Sequence, residues 1–339
     1  MNRKKILPLA VLAAVVLVLA AVLVLLKTAP QEQSAGIALC DFSADSIDRL
    51  SYSGENTDVS LLKGEDGNWL LESDPTLPLE QQSVQSLLED VAALTADRCL
   101  QGDERAGIPE RSETPLMEFA IASGTSERTL TVDQANDVAD IYYVYDEAGE
   151  VYSVPQSQFF GLCKTPRELY APQKLTQQTS DDITSLQVGN LRFVQTDDVW
   201  TLADDPDYPL DQSAVNRMAN TLCGVQTSWS ITSPEADSTY GLDTPDTTAT
   251  AVFADGTELT VRWGALTPED ESLCYLSADS APTVVYEADA DYKAVFAVTK
   301  ESLYDADATA ETAAEDEGSI IAEHPVGGAD DYIDASSAG

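Results

Sequence analysis

Gly67-Asn68-Trp69-Leu70-Leu71, followed by Pro78-Leu79 and an apolar-periodic segment ending at Leu94, occurs twice in this chain. The second occurrence reads Val199-Trp200-Thr201-Leu202, then Pro209-Leu210, then a segment from Ser213 to Val225. Trp69 and Trp200 are 131 residues apart, and so are Pro78 and Pro209. Within each segment the apolar positions fall at helical spacing: Val84, Leu87, Leu88, Val91 and Leu94 in the first, Val215, Met218, Leu222 and Val225 in the second. That spacing predicts one amphipathic helix per copy, entered through a Pro-Leu break.

Working outward, the strands arrange themselves around the same unit. In copy one, Ile47–Tyr52 and Val59–Leu62 alternate as strands around Ser53-Gly54-Glu55-Asn56, and Trp69–Leu71 is a third. Leu116–Ala122 with Arg128–Val132, and Ile141–Tyr145 with Val151–Val154, read as hairpins, and Ser157–Leu162 as a short helical turn. Copy two repeats the order with Ile183–Val188, Leu191–Gln195 and Trp200–Leu202, then Thr250–Phe253 with Glu258–Val261 around Asp255-Gly256, then Cys274–Leu276 with Val284–Tyr286. Leu169-Tyr170 closes the first copy and Leu303-Tyr304 the second, 134 residues on. Each copy is long enough for its own core, so the expected class is α+β: two tandem homologous domains, 40–172 and 173–304, each of antiparallel hairpins with one main helix.

The ends differ in composition. Ile6–Leu26 is an uncharged run long enough to cross a bilayer of roughly 30 Å, preceded by Arg3, Lys4 and Lys5. This predicts a cytoplasmic residue 1–5 stub, a transmembrane signal anchor at 6–26, a tether at 27–39 and an extracytoplasmic bulk. The run exceeds an ordinary signal-peptide core and lacks an A-x-A-like site, which disfavours cleavage. Residues 305–339 are dominated by Ala, Asp, Glu, Gly and Ser, the composition of a disordered acidic tail.

The 339-residue chain carries a net charge of −41; beyond residue 30 it holds 14 basic residues against 59 acidic ones. Such a body repels polyanions and excludes nucleic-acid binding. The one histidine, His324, rules out His-dependent triads and His-rich zinc centres. G-x-G-x-x-G, G-x-x-x-x-G-K-[ST] and G-x-S-x-G are all absent. The densest acidic cluster, Asp197, Asp198, Asp204, Asp205, Asp207 and Asp211, lacks the alternation of an EF-hand loop, and turn-forming and helix-capping account for it better than calcium. Cys40, Cys99, Cys163, Cys223 and Cys274 show no C-x-x-C spacing and predict no particular disulfide. Trp69 and Trp200 read as core residues rather than ligand-stacking rings. Tyr142, Tyr143, Tyr145 and Tyr152 gather in one hairpin, the best candidate for a protein contact, with Tyr143 and Tyr145 on one face.

The basic N-terminus, the G-x-W-x-L motif at Gly67–Leu70 with Trp200 and Leu202 in copy two, and the Pro-Leu helix entry together resemble the bacterial domain-of-unknown-function 4340 family. So do Tyr240-Gly241-Leu242-Asp243-Thr244-Pro245 and the Asp255-Gly256 hairpin. Copy one departs from that pattern, with Ala106-Gly107-Ile108-Pro109 in place of Tyr-Gly-Leu-Asp-x-Pro. The resemblance covers residues 40–304 and implies an extracytoplasmic accessory role beside ABC-type export or gliding-type transporter components. It supplies no catalytic, cofactor-binding or metal-ligating residues. The functional expectation is therefore a membrane-anchored, non-enzymatic binding or scaffold protein with ABC-type transporter subunits as partners and no cofactor. The alternatives are a cell-envelope carboxylate-dependent hydrolase and a solute- or calcium-binding module. Differences between the copies, Ala106–Thr114 against Tyr240–Pro245, and the groove between the domains are where function is expected.

Overall fold

The computed structural model describes residues 36–306, except Pro109. These residues are mostly β. The first large sheet runs, neighbour to neighbour, Trp69–Leu71, Thr57–Lys63, Arg49–Gly54, Met117–Ser123, Ser126–Asn136, Ile141–Asp146, Val151–Pro155 and Arg98–Leu100. The second runs Val199–Leu202, Leu191–Thr196, Ile183–Val188, Thr247–Phe253, Glu258–Leu266, Leu273–Ala278, Val285–Asp289 and Thr227–Ile231. Both are antiparallel throughout, and their eight strands follow the same order along the chain. A small two-stranded sheet pairs Ile37–Ala38 with Thr95–Ala96.

The α+β expectation is corrected accordingly to a mostly β fold. Only two helices among the described residues exceed a few turns' worth of chain, Gln81–Ala92 with 12 residues and Gln212–Gly224 with 13. Each buries a single stripe, Val84, Leu87, Leu88 and Val91 in one and Val215, Met218, Ala219 and Leu222 in the other. One stripe covers part of a sheet face, so most of the core comes from inward residues of the strands themselves, such as Leu50, Tyr52, Phe119, Ile121 and Leu130 in the first sheet and Leu186, Phe193, Ala251, Val261 and Leu276 in the second.

A further correction concerns the membrane. Among the described residues no helix is long and apolar enough to cross a bilayer, and the expected anchor at Ile6–Leu26 lies outside them. The single-pass, extracytoplasmic placement that rested on it is withdrawn. The tail beyond Ala306, with Ile320-Ile321 and His324, also lies outside the described residues.

The described residues divide into two compact units, one within residues 36–73 and 81–169, the other within residues 74–80 and 170–306. The repeated sequence motif has a specific structural job in each. Trp69 and Trp200 lie on edge strands, whose outward backbone groups would otherwise be open to pairing. Twelve residues on, a glutamine side chain supplies both partners. Trp69 N donates to Gln81 Oε1 at 2.7 Å and Gln81 Nε2 donates to Trp69 O at 3.1 Å. Gln212 does the same for Trp200, at 2.8 and 2.9 Å. The helix is thereby fastened to the strand it follows. Within the second unit the Pro-Leu breaks meet the closing tyrosines: Leu79 pairs with Tyr170 and Leu210 with Tyr304 as isolated antiparallel bridges.

Four of the six acids in the copy-two cluster have structural roles, in a turn, an ion pair and a helix cap. Asp197 and Asp198 both have positive φ, 51° and 64°, and form the two-residue turn of the hairpin between Leu191–Thr196 and Val199–Leu202. Asp205 accepts from Lys300 Nζ at 2.7 Å. Asp211 caps the helix, its carboxylate accepting from Ser213 N at 2.9 Å and Ala214 N at 3.1 Å.

The Ser213 hydroxyl bond and those backbone bonds hold the Asp211 carboxyl below the usual carboxylate range. A depressed folded-state pKa means the cap stabilises above the ordinary carboxylate pKa and is lost as pH falls through the lower value. Asp211→Ala should therefore cost about 1 kcal/mol at neutral pH. That gap between variant and parent should close in urea titrations at progressively acid pH.

Candidate functional site

In the first unit the two features singled out in copy one, the tyrosine hairpin and the divergent loop, come together. Alternation along Ile141–Asp146 sends Tyr143 and Tyr145 to one face, where they join Leu100, Val151 and Ile108 in a small apolar cluster. Tyr142 points to the other face and meets Phe159 edge-on, with ring centroids 5.5 Å apart at 84°. Tyr145 is not a surface residue: it is 3% exposed. Arg105, Ile108 and Arg111 of the divergent loop pack against it.

Two arginines of that loop close on the ring. Arg105, in the short helix Gly102–Ala106, places its guanidinium carbon 5.0 Å from the Tyr145 centroid, and Arg111 places its own at 5.5 Å. Cation–π contacts of this kind are worth about 0.5–2 kcal/mol each. The loop is pinned to strand Ser126–Asn136 by three hydrogen bonds. Arg111 Nη2 donates to Thr131 Oγ1 at 2.8 Å, Ser112 N to Asp133 Oδ1 at 2.9 Å, and Gln134 Nε2 to Glu110 O at 3.1 Å.

Asp133 is buried, at 3% exposed, and its second carboxylate oxygen has no hydrogen-bond partner among the described residues. A β-bulge between Val132 and Gln134 is what turns it inward.

Beside this cluster a groove of about 290 Å3 is lined by Leu100, Ile108, Ile141 and Tyr143 together with Arg98, Asp103 and Glu104. Arg98 pairs with Glu104 at 3.0 Å, an exposed contact that contributes little. Tyr143 Oη accepts from Asn136 Nδ2 at 3.1 Å. The neighbouring turn carries Val138, fully exposed, and Asp140 in the left-handed region at φ 55°. Arg105 forms no ion pair among the described residues.

Copy two fills the corresponding position differently. Tyr240 and Leu242 are buried with Val285 against Ile231 and Tyr275, and Tyr240 meets Tyr275 edge-on at 5.0 Å. The Tyr-Gly-Leu segment lies against strand Glu258–Leu266, with Ala265 N donating to Tyr240 O at 2.9 Å. This approach demands glycine on both sides. A Cβ on Gly241, where φ is +71°, would sit 2.9 Å from Ala265 N, and one on Gly264 would sit 2.2 Å from Tyr240 O.

Residues 200–315 match the family model described as Domain of unknown function (DUF4340). That agrees with the resemblance read from the motifs. The DUF4340 match opens at Trp200 and includes Tyr240–Pro245, so the buried Tyr-Gly-Leu contact is part of it. It does not extend to the first unit, and a tandem arrangement of the family is not confirmed by it. No curated protein and no solved structure matched the chain.

The other flagged residues take structural places. Trp69 and Trp200 are buried at 4% and 1% exposure, and Trp200 Nε1 donates to Asn216 Oδ1 at 2.8 Å. All five cysteines are unpaired thiols, Cys40 and Cys274 buried and the rest half-buried. Burial pushes the thiols of Cys163, Cys223 and Cys274 up to about 11, which leaves little reactive thiolate at neutral pH. Among the described residues no group of three or more His, Cys, Asp or Glu side chains is disposed to hold a metal ion. Arg105 and Arg111 were missed from sequence. The available signal was their setting: three arginines within 14 residues, Arg98 to Arg111, in a chain with 18 basic residues in all.

Proposed function

We propose that this protein is a non-catalytic binding or scaffold component of a multiprotein assembly, with ABC-type transporter subunits as the partner class. The observation that carries the reading is the pair of arginines closed on Tyr145 beside an apolar groove. Arginine is among the side chains most enriched in the energetic centres of protein interfaces, where other charged groups are depleted; the buried Tyr145 ring serves to hold the two guanidinium groups in place. The loop that presents them is where copy one parts from the motif of copy two. The loop carries Asp103, Glu104, Glu110 and Glu113 beside its two arginines. Arg105, which forms no ion pair among the described residues, is therefore the cation there that is left for a partner carboxylate next to an apolar side chain.

The test is affinity purification of the tagged full chain, parent against Arg105→Glu, with the captured proteins identified. Transporter ATPase and permease subunits should copurify with the parent and fall at least about ten-fold with the variant, the equivalent of about 1.4 kcal/mol. Unchanged far-UV circular dichroism would show that the variant is folded. Equal capture by both chains would overturn the assignment of the site. Absence of these subunits together with turnover of an envelope polymer by the purified chain would overturn the scaffold reading in favour of a hydrolase.

A further inference from the structure

A second concavity, in the second unit, has a different chemistry. It encloses about 530 Å3 and is lined by Leu266, Phe296 and Val298 with Asp246, Lys293 and Glu271. Ligand sites for small molecules occupy roughly 300–1,000 Å3. Its origin is local. The pairing of strands Glu258–Leu266 and Leu273–Ala278 shifts register between Trp263 and Leu266, so Gly264-Ala265 stay against Tyr240 while Leu266 turns outward, 43% exposed. The short helix Ala290–Val295 follows strand Val285–Asp289 directly, and Phe296 beyond it stacks on Trp263 with centroids 5.7 Å apart. The space between Leu266 and the Ala290–Thr299 segment is left open.

We propose that this cavity binds a small organic cation, an ammonium group on an alkyl or aryl body. Apolar side chains supply the seat for the body. Charge decides the headgroup. Lys293 is already satisfied: Nζ donates to Asp246 at 2.5 Å and to Gly264 O at 3.0 Å. Glu271 reaches the same cavity and forms no ion pair among the described residues. One lysine against two carboxylates leaves the cavity with an uncompensated negative charge. An anionic ligand would have to displace Asp246 from Lys293 and strand two carboxylates, whereas a cation gains Glu271 without disturbing the existing pair. The acidic body adds a long-range field of the same sign.

The experiment is isothermal titration of the full chain with hexylammonium, hexanol and hexanoate, which share a chain length and differ in headgroup charge. Hexylammonium should bind more tightly than either of the others by about five-fold or more, with the advantage shrinking as salt is raised. Glu271→Gln, an exposed site, should reduce hexylammonium to the affinity of hexanol. Ala294→Trp, which places an indole in the mouth, should abolish binding of the amine. Ala297→Trp does the same from the adjacent turn if the first variant fails to fold. Equal affinity for the three probes, no binding at all, or hexylammonium binding that survives the tryptophan variants would overturn the proposal.

Discussion

Replacing Trp200 by alanine should destabilise the second unit by about 3–5 kcal/mol, the range for deleting a large buried aromatic. The side chain is 1% exposed, and its indole nitrogen donates to Asn216 on the helix that follows. Truncation therefore leaves a cavity in the core, while the exposed Asn216 amide turns to water. Domains are stable by only about 5–15 kcal/mol in total, so the loss should be large enough to populate unfolded chains at moderate temperature. Urea denaturation followed by far-UV circular dichroism measures it. The unfolding midpoint of the second unit should fall with little change in slope. Val194→Ala, on the exposed side of the adjacent strand, should shift it by no more than about 0.5 kcal/mol. A Trp200→Ala midpoint equal to that of the parent would show that the indole is not part of the core, and would revive a ligand-stacking role.

Gly264→Ala should be the other severe substitution, costing about 3 kcal/mol. The new methyl would lie 2.2 Å from Tyr240 O and 3.1 Å from a Leu242 methyl, far inside contact distance, with backbone on one side and buried side chain on the other. Neither yields cheaply; overpacking of this sort costs roughly 1–3 kcal/mol and sometimes more. The strand must retreat, stretching the Ala265–Tyr240 hydrogen bond that seats the Tyr-Gly-Leu motif. Gly224→Ala is the matched control: nothing lies within 4 Å of its added Cβ, and a shift of a few tenths of a kcal/mol is expected. Thermal unfolding of the two variants side by side makes the comparison. Equal melting temperatures for Gly264→Ala and the parent would mean that the close approach between Tyr240 and Gly264 does not hold in solution.

Much of the fold is legible in the pattern of side chains. Trp69–Leu71, the two long helices and the hairpin of Ile183–Val188 with Leu191–Thr196 fall within a residue or two of expectation, because each has a period of 2 or 3.6 bounded by its own turn residues. Arg98–Leu100 and Thr227–Ile231 were not legible. Both are short edge strands of mixed polarity whose existence depends on partners far along the chain: Cys99 pairs with Tyr152, and Ser230 with Tyr286. A strand held by pairing rather than by its own alternation leaves little local trace. The weight given to the helices had the converse cause. An amphipathic stripe stands out in sequence, although here it covers only part of a sheet that otherwise builds its own core.

The candidate site divides the same way. Sequence alone picked out Tyr143 and Tyr145 on one face and marked Ala106–Thr114 as the loop in which the copies differ. It could not show that the loop lies over the hairpin, because that depends on Thr131 and Asp133 of a third strand and on the bulge that turns Asp133 inward.

By itself, then, the sequence determined the repeated Trp, Pro-Leu and helix unit and the acidic surface, all properties of near neighbours along the chain and of composition. Tertiary structure decided that eight strands, not one helix, make each core. It also brought Arg105 and Arg111 onto Tyr145, and opened a cavity beside Lys293 and Glu271. Those outcomes depend on long-range register and on the close approach that Gly241 and Gly264 permit, which no local pattern encodes.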